Sequence, residues 1–341
     1  MNMQGGRMID VKNKRNYGID IVRIIAVILV LCVHFFLNTK YYGTEMAGIN
    51  MHIQGIIRNF CMACVPLFLV ITGFLNKKTN YDKKFFKSLI TILIVWLFYS
   101  VIEYFVLNII NNTHDVLNFK NLLFNVSSFK ACGYSWYIEM YIGLYLISPV
   151  LNNAYASFDN KNKKYLTIIL LLVFLIPNTI NMIFDGIIHI PSWWNGVYPI
   201  GYYIIGKYLQ ENKINIKKKN IILLLIFNII LTYSYSYIGS ASFDSIPTAI
   251  TTILIFLLFY DINIKKKAFQ KVIVYLSGIT LDIYLASSLI DKLVYPYLNK
   301  NFGFDKMIQQ ELIIYAPIVL IIIFILTIIY ASIRKLLIKV R

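Results

Sequence analysis

Residues 19–38 read IDIVRIIAVILVLCVHFFLN, an uninterrupted apolar run apart from Asp20, Arg23, His34 and Asn38. A hydrocarbon core of about 30 Å needs about 20 such residues in an α-helix, which rises about 1.5 Å per residue. The stretch therefore predicts a membrane-spanning helix. Its three ionisable side chains are costly at membrane depth, so each of them calls for a functional or structural explanation.

The whole chain has the composition of a polytopic membrane protein. Its 341 residues are 58% hydrophobic and 14% charged, yet the formal net charge is +17. The mean hydropathy is +0.66. A soluble protein this apolar would expose large apolar patches and would be prone to aggregate. An intrinsically disordered chain is also excluded, because disorder needs low hydrophobicity. We predict an all-α fold of ten transmembrane helices, at residues 19–38, 52–75, 88–110, 136–151, 165–184, 194–210, 220–238, 244–261, 272–296 and 312–333.

The basic residues are distributed unequally between the two sets of connecting segments. The connecting segments alternate between two sets, one on each side of the membrane. Of the 33 Lys and Arg residues, 25 lie in or beside one set, which includes the two ends of the chain, and 6 lie in or beside the other set. The remaining two, Arg23 and Arg58, lie inside spans. By the positive-inside rule, both termini are expected in the cytoplasm. Because the charge is divided among six separate segments, no nucleic-acid partner is expected.

No soluble domain is expected, since the longest connecting segment is only residues 111–135. We predict one domain over residues 1–341, with a cytoplasmic tail at 1–18 and a helical bundle at 19–338 in the lipid bilayer of the cell membrane. The first apolar run lacks a small-residue cleavage site and is interpreted as a retained signal anchor. The pair Cys61 and Cys64 has metal-like spacing, but no second pair or nearby histidine completes a site, so no metal is expected.

Arg23 and His34 are predicted to share one face of the first helix. Eleven residues at 100° each end about 20° past three full turns, and they separate the two side chains by about 16 Å along the axis. This places a fixed cation near the cytoplasmic leaflet and an imidazole suited to proton transfer near the outer one. Two structural alternatives stay open: Arg23 as a snorkelling anchor and His34 as a hydrogen-bonded packing residue. Asp20 lies near the cytoplasmic end of the span, so it can also be a residue of the membrane–water interface without a functional role.

Further polar residues fall at similar outer-half depths in other spans. Arg58, Glu103 and Glu139 are each close to the outer end of their span. They can surround one polar cavity with His34, or Arg58 can form a structural ion pair with either glutamate. Asp282 in the ninth span is another cavity candidate, with a packing role as its alternative. A Ser-His-Asp hydrolase is excluded because no G-x-S-x-G elbow occurs.

Three spans contain short motifs in a recognisable order. The first opens Ile-Asp-x-x-Arg-x-x-Ala at residues 19–26, the second closes TGFL at 72–75, and the fourth reads WYIEMYIGLYLISP at 136–149. Together they resemble the integral-membrane acyltransferases of acyltransferase family 3, whose second-span motif has Ser in place of Thr72. The resemblance extends over most of the chain and agrees with the predicted length and topology.

The resemblance implies transfer of an acyl group, usually acetyl, from cytoplasmic acyl-CoA to a hydroxyl of a surface polysaccharide or related glycan. In that mechanism His34 takes the acceptor proton or assists relay of the acyl group across the membrane, and Glu139 or Glu103 orients its ring. Arg23 attracts the phosphates or pantetheine arm of the donor. The other candidates for donor binding are Asp20, Lys84 and Lys87. The candidates for acceptor binding are Arg58, Trp136 and Asp282.

The chain departs from the family pattern at two places. Lysines occupy positions 83, 84 and 87, where the family often has arginines, so bidentate phosphate contacts are weakened. Ser287 stands where the family commonly has His, which leaves the acceptor or the activity open. A different class also fits ten helices with charges at membrane depth: a transporter or exporter of glycan or lipid-linked intermediates without acyl transfer.

Overall fold

The computed structural model describes residues 15–112, 118–184, 194, 196–236 and 241–338. Within these residues the fold is all-helical, as the sequence predicts, with one short 3-10 turn at Tyr41–Gly43. The helices are α1 Tyr17–Asn38, α2 Gly48–Cys61, α3 Cys64–Leu75, α4 Lys83–Ile110, α5 Phe119–Ser127, α6 Trp136–Ser157, α7 Asn160–Phe184, α8 Tyr198–Glu211, α9 Lys218–Ser236, α10 Ile246–Phe259, α11 Lys267–Ser277, α12 Thr280–Phe302 and α13 Gln309–Leu337.

Five helical units in the described part of the chain are long and apolar enough to cross a membrane. They are α1, the α2–α3 unit, α4, residues 160–181 of α7, and α13. A sixth is α11 with α12, if these helices, bent by 57°, form one span. By contrast, α8 and α10 have 14 residues each, fewer than the roughly 20 of a straight crossing. Each predicted span overlaps a helix or helix pair, but ten crossings and the orientation of the termini stay predictions.

The second predicted span is interrupted between α2 and α3. Pro66 lies two residues inside α3, where it has no N–H to donate and its ring crowds the carbonyl group four residues earlier. That carbonyl belongs to Met62, which with Ala63 separates the two helices. The apolar composition continues through the break, so hydropathy predicts one continuous helix there. The break leaves Arg58 in the last turn of α2.

Helix α1 is the central element of the bundle. It packs against α2, α3, α10, α11, α12 and α13, and most of its surface is buried. Helices α3 and α8 approach each other closely because of two glycines: a Cβ atom at Gly73 or Gly206 would overlap a backbone carbonyl oxygen of the opposite helix. Asp20 and His34 of α1 therefore lie inside the protein, where neighbouring helices can supply partners for them.

Candidate active site

His34 lies where α1 meets α12 and the segment that precedes α6. Its Nδ1 atom is 3.3 Å from the hydroxyl oxygen of Ser287 and 3.6 Å from a carboxylate oxygen of Asp291. Its ring stacks on Tyr134 with the ring centroids 3.7 Å apart. Only 7% of the residue is exposed. Among the described residues no hydrogen bond engages Nε2, so this nitrogen is available to accept a proton from a substrate.

Asp291 is the carboxylate that the structure places beside the imidazole. It is 1% exposed. Its Oδ2 atom accepts a hydrogen bond of 2.8 Å from the Tyr134 hydroxyl and one of 3.4 Å from the Asn38 amide. Its Oδ1 atom has no hydrogen-bond partner within the described residues. A carboxylate beside Nδ1 can hold a histidine ring in one orientation and stabilise its charged form.

The sequence interpretation missed Asp291, although a signal for it was present. Asp291 follows Ser287 by four residues, so the two side chains share one face of α12. Ser287 stands at a position singled out by its departure from the family pattern. Helical periodicity places Arg23 and His34 on one face of α1. The same rule, applied to α12 from Ser287 onward, places Asp291 on the face of Ser287.

Glu103 lies next to this cluster and does not contact His34. It is 1% exposed and accepts hydrogen bonds from Lys292 Nζ at 2.6 Å, from Ser288 Oγ at 2.7 Å and from the backbone N–H of Gly133 at 3.1 Å. On α12, Ser287 and Asp291 therefore face His34, whereas the next residues along the helix, Ser288 and Lys292, face Glu103. Glu103 fixes the segment that contains Tyr134, so its described contacts support that segment and do not orient the imidazole directly.

The structure separates Arg58 and Glu139 from this cluster. Glu139 is exposed on α6, and no ion pair joins it to any described residue. Arg58 is buried but donates to the Tyr42 hydroxyl at 3.1 Å and to the backbone oxygen of Ala241. The expected ion pair between Arg58 and Glu103 or Glu139 is therefore absent among the described residues, and Arg58 instead ties α2 to the segment before α10.

Trp136 and Asp282 have packing contacts in the structure. Trp136 is 41% exposed, and its ring stacks on Phe243 at 5.6 Å. Asp282 accepts two hydrogen bonds from Arg334, at 2.6 and 2.7 Å, and one of 3.1 Å from Tyr99. These three buried side chains connect α12, α13 and α4. The contacts of Asp282 thus correspond to the packing alternative that the sequence left open.

Asp20 anchors the start of α1 through contacts inside the protein. It is 3% exposed and accepts hydrogen bonds from Arg15 Nε and Ser277 Oγ, both at 2.6 Å. The Arg15 guanidinium lies before the helix, and its hydrogen bond to Asp20 raises its pKa. Arg23 is 3.4 Å from Asp20 and about a third exposed. Asp20 therefore orients Arg23, which points into a large cavity.

That cavity has a volume of about 740 Å³ and is enclosed by α1, α3, α4, α6 and the start of α12. We call it the donor-side cavity. Its mouth contains five cationic side chains: Arg23, Lys77, Lys78, Lys84 and Lys87.

The inner wall of the donor-side cavity is mainly apolar and aromatic. It includes Val30, Phe68, Tyr137 and Tyr284. The ring centroid of Tyr284 is 6.2 Å from that of His34, so the cavity ends about one aromatic ring away from the imidazole.

A match to a known protein family covers most of the chain. A family model described as an acyltransferase domain, acyltransferase 3, matches residues 16–332. The chain belongs to the acyltransferase 3 family. The match begins one residue before α1 and ends inside α13, so the His34 cluster and the donor-side cavity both lie within it. Neither the curated proteins nor the solved structures contain a match to the chain.

Membership of the acyltransferase 3 family identifies the chain as a membrane acyltransferase. Among the residues that the structure describes, no group of three or more His, Cys, Asp or Glu side chains is arranged to hold a metal ion. The described site therefore offers a base, a carboxylate and a basic cavity as its chemical groups.

Proposed function

We propose that this acyltransferase transfers an acyl group, in the first place acetyl, from acyl-CoA on the cytoplasmic side to a glycan hydroxyl on the opposite side of the cell membrane. The observation that supports this most directly is the donor-side cavity. It joins a mouth of five cations to an apolar interior that ends next to His34. The lysine-rich mouth is the cytoplasmic end in this proposal, as the positive-inside rule predicts.

The cavity fits the parts of an acyl-CoA in order. A CoA molecule has a phosphate-bearing nucleotide, a long thin pantetheine arm and a thioester at the far end. Arg23, Lys84 and Lys87 can attract the phosphates at the mouth, because a cleft of one charge sign concentrates ligands of the other. About 16 Å along α1 separates Arg23 from His34, and this length is bridged by the arm. Lysines act here as point charges and not as bidentate clamps.

The chemistry needs one base and accurate positioning, because a thioester is already activated. The Nε2 atom of His34 takes the proton of the acceptor hydroxyl while that oxygen attacks the thioester carbonyl carbon. The carbon–sulfur bond then breaks, and the CoA thiolate leaves and recovers a proton from His34. Asp291, 3.6 Å from Nδ1, stabilises the imidazolium that forms between the two proton transfers.

The test compares wild-type protein in lipid nanodiscs with the variant His34→Gln. Radiolabelled acetyl-CoA and an extract of surface glycan are supplied, and label in the glycan is measured. Removing a general base costs about 10²–10⁴-fold in rate, so we expect the variant to lose transfer while still inserting and eluting as folded protein. The matched control is His52→Gln, since His52 is another buried histidine and packs on Tyr233 of α9.

Two results would contradict the proposal. If His34→Gln transfers the label at the wild-type rate, His34 is not the general base and the mechanism is refuted. If the wild-type protein consumes no thioester with any acceptor, while cells without it accumulate unexported glycan precursor, the protein is an exporter and not an acyltransferase in activity.

A further inference from the structure

A second cavity, of about 250 Å³, lies at the opposite end of α4. We call it the far cavity. The donor-side cavity is lined by Lys87 near the start of α4, and the far cavity by Asn108 near its end. These positions are about 31 Å apart along the helix axis, which is close to the thickness of a bilayer core. The two cavities therefore lie near the two ends of a membrane-crossing helix, with His34 in the interior between them.

The far cavity adjoins the His34 cluster through two chain segments. Its wall includes Lys292, the residue directly after Asp291 on α12. It also includes Ala131, three residues before Tyr134, the residue whose ring stacks on His34. Asp291 and Lys292 are neighbours on α12 but face different groups, so the far cavity lies on the Glu103 side of the His34 cluster.

The lining of the far cavity is predominantly polar. It contains the amides of Asn108, Asn121 and Asn125, the phenol ring of Tyr104, and the ammonium groups of Lys130 and Lys292. Amides and ammonium groups bind sugar hydroxyls and carboxylates, and an aromatic face can pack on a sugar ring.

Three of these side chains are held in place by neighbours, and one is Asn108, whose amide donates to the backbone oxygen of Tyr104 at 2.9 Å. The Nζ atom of Lys292 is 2.6 Å from Glu103, and the amide of Asn125 donates to the backbone oxygen of Asn121 at 2.8 Å. Because they are already ordered, these groups lose little conformational freedom when a ligand binds.

The electrostatic balance of the far cavity is positive. Glu103 is buried and already paired with Lys292. Lys130 is exposed, and among the described residues it forms no ion pair. Within the described part of the chain Lys130 is therefore a cation without a carboxylate partner, and it favours an anionic ligand over a neutral one.

We propose that the far cavity binds the acceptor, and that the bound unit is an acidic sugar whose carboxylate pairs with Lys130. This inference rests on the proposed function for the role of the sugar as acceptor, but the binding itself does not depend on it. The acidic sugar places its hydroxyls against the asparagine amides and presents one hydroxyl toward His34, past the Tyr134 ring.

The experiment measures binding directly by isothermal titration calorimetry on the full chain in neutral-lipid nanodiscs. The probes are a trisaccharide of galacturonic acid and its carboxyl-reduced, uncharged counterpart. We expect the wild type to bind the acidic probe at least fivefold more tightly than the reduced one. The variant Lys130→Gln loses this difference, and Lys130→Arg keeps most of it. The matched control is Lys120→Gln, an exposed lysine on α5 that does not line the cavity.

Equal binding of the two probes by the wild type, or an undiminished preference in Lys130→Gln, overturns the inference. So does an equal loss in Lys120→Gln, because the preference would then reflect only overall surface charge. The same samples are assayed for label transfer from acetyl-CoA. Preferential binding without consumption of acetyl-CoA, with this probe and with the glycan extract, would support the acidic-sugar site and contradict the acyl-transfer proposal, whereas transfer without preferential binding would do the reverse.

Discussion

Replacing Asp291 by asparagine is the sharpest perturbation of the proposed site. The change removes one charge and keeps the size of the side chain. An asparagine oxygen can still accept the hydrogen bonds that Tyr134 and Asn38 donate to Oδ2. The ring stacking between Tyr134 and His34 is therefore expected to persist. The difference between variant and wild type reports the charge beside Nδ1 and little else.

The expected size of the effect follows from the distance between the two groups. Unit charges 3.6 Å apart interact by about 4.6 kcal/mol at an effective dielectric constant of about 20. Solvent screening is small, because the side chains of His34 and Asp291 are 9% and 1% exposed. The imidazole is only partly charged in the transition state, so part of this energy is lost. At about 1.4 kcal/mol per factor of ten in rate, we expect kcat to fall about 10²–10³-fold.

The assay is steady-state transfer of labelled acetyl from acetyl-CoA, with kcat and KM determined separately. Asp291 does not line the donor-side cavity, so the KM for acetyl-CoA should change less than kcat. Asp291→Glu, which keeps the charge on a longer side chain, should recover part of the activity. Asp305→Asn is the matched control, since Asp305 is an exposed carboxylate without an ion pair among the described residues. A kcat for Asp291→Asn within threefold of wild type, in protein that elutes as folded, would refute this role.

Three further predictions follow from other parts of the structure. Arg23→Gln should raise the KM for acetyl-CoA about tenfold in the same assay, since a partly exposed cation at the cavity mouth is lost, and Arg23→Lys should restore part of the affinity. Arg334→Met should lower stability by about 3–5 kcal/mol because it leaves the buried carboxylate of Asp282 unpaired, which is measured as a fall in the thermal unfolding midpoint. Gly73→Ala should also lower that midpoint, since its Cβ atom overlaps a carbonyl oxygen of α8. Gly143→Ala, where nothing lies within 4 Å of the added atom, should leave it unchanged.

The positions of the helices could be predicted from the sequence because hydropathy acts locally. The predicted spans at 88–110 and 312–333 lie within α4 and α13. The break between α2 and α3 could not be predicted in the same way. It arises from the proline at position 66 inside a run that stays apolar, and hydropathy does not report backbone hydrogen bonds. Arg58 lies in the last turn before the break, and its hydrogen bonds go to Tyr42 and Ala241 and not to the expected cavity.

The site could be predicted only where its residues share one helix. Arg23 and His34 follow from helical periodicity, and the structure places Arg23 at the cavity mouth and His34 beyond its inner end. Glu103 and Glu139 were chosen by depth in the membrane. Depth does not specify rotation about the helix axis, and the structure turns Glu139 outward and Glu103 toward Lys292. The carboxylate that does reach His34 comes from α12. Periodicity from Ser287 points to Asp291, but the packing of α12 on α1 that brings it to His34 is given only by the structure.

Ser287 and Asp291 together determine the charge around His34. The family commonly has histidine where this chain has Ser287, whose neutral hydroxyl donates to the Tyr284 carbonyl oxygen at 2.7 Å. A buried carboxylate is costly unless a cation compensates it, and within the described residues Asp291 is paired with no lysine or arginine. Of the basic groups that the structure describes, the imidazole of His34 is the one within 4 Å of it. The carboxylate is therefore poorly compensated while His34 is neutral and well compensated once His34 has taken a proton. In the proposed mechanism this arrangement would stabilise the charge that develops during transfer more than the resting site, which is the condition for a rate increase.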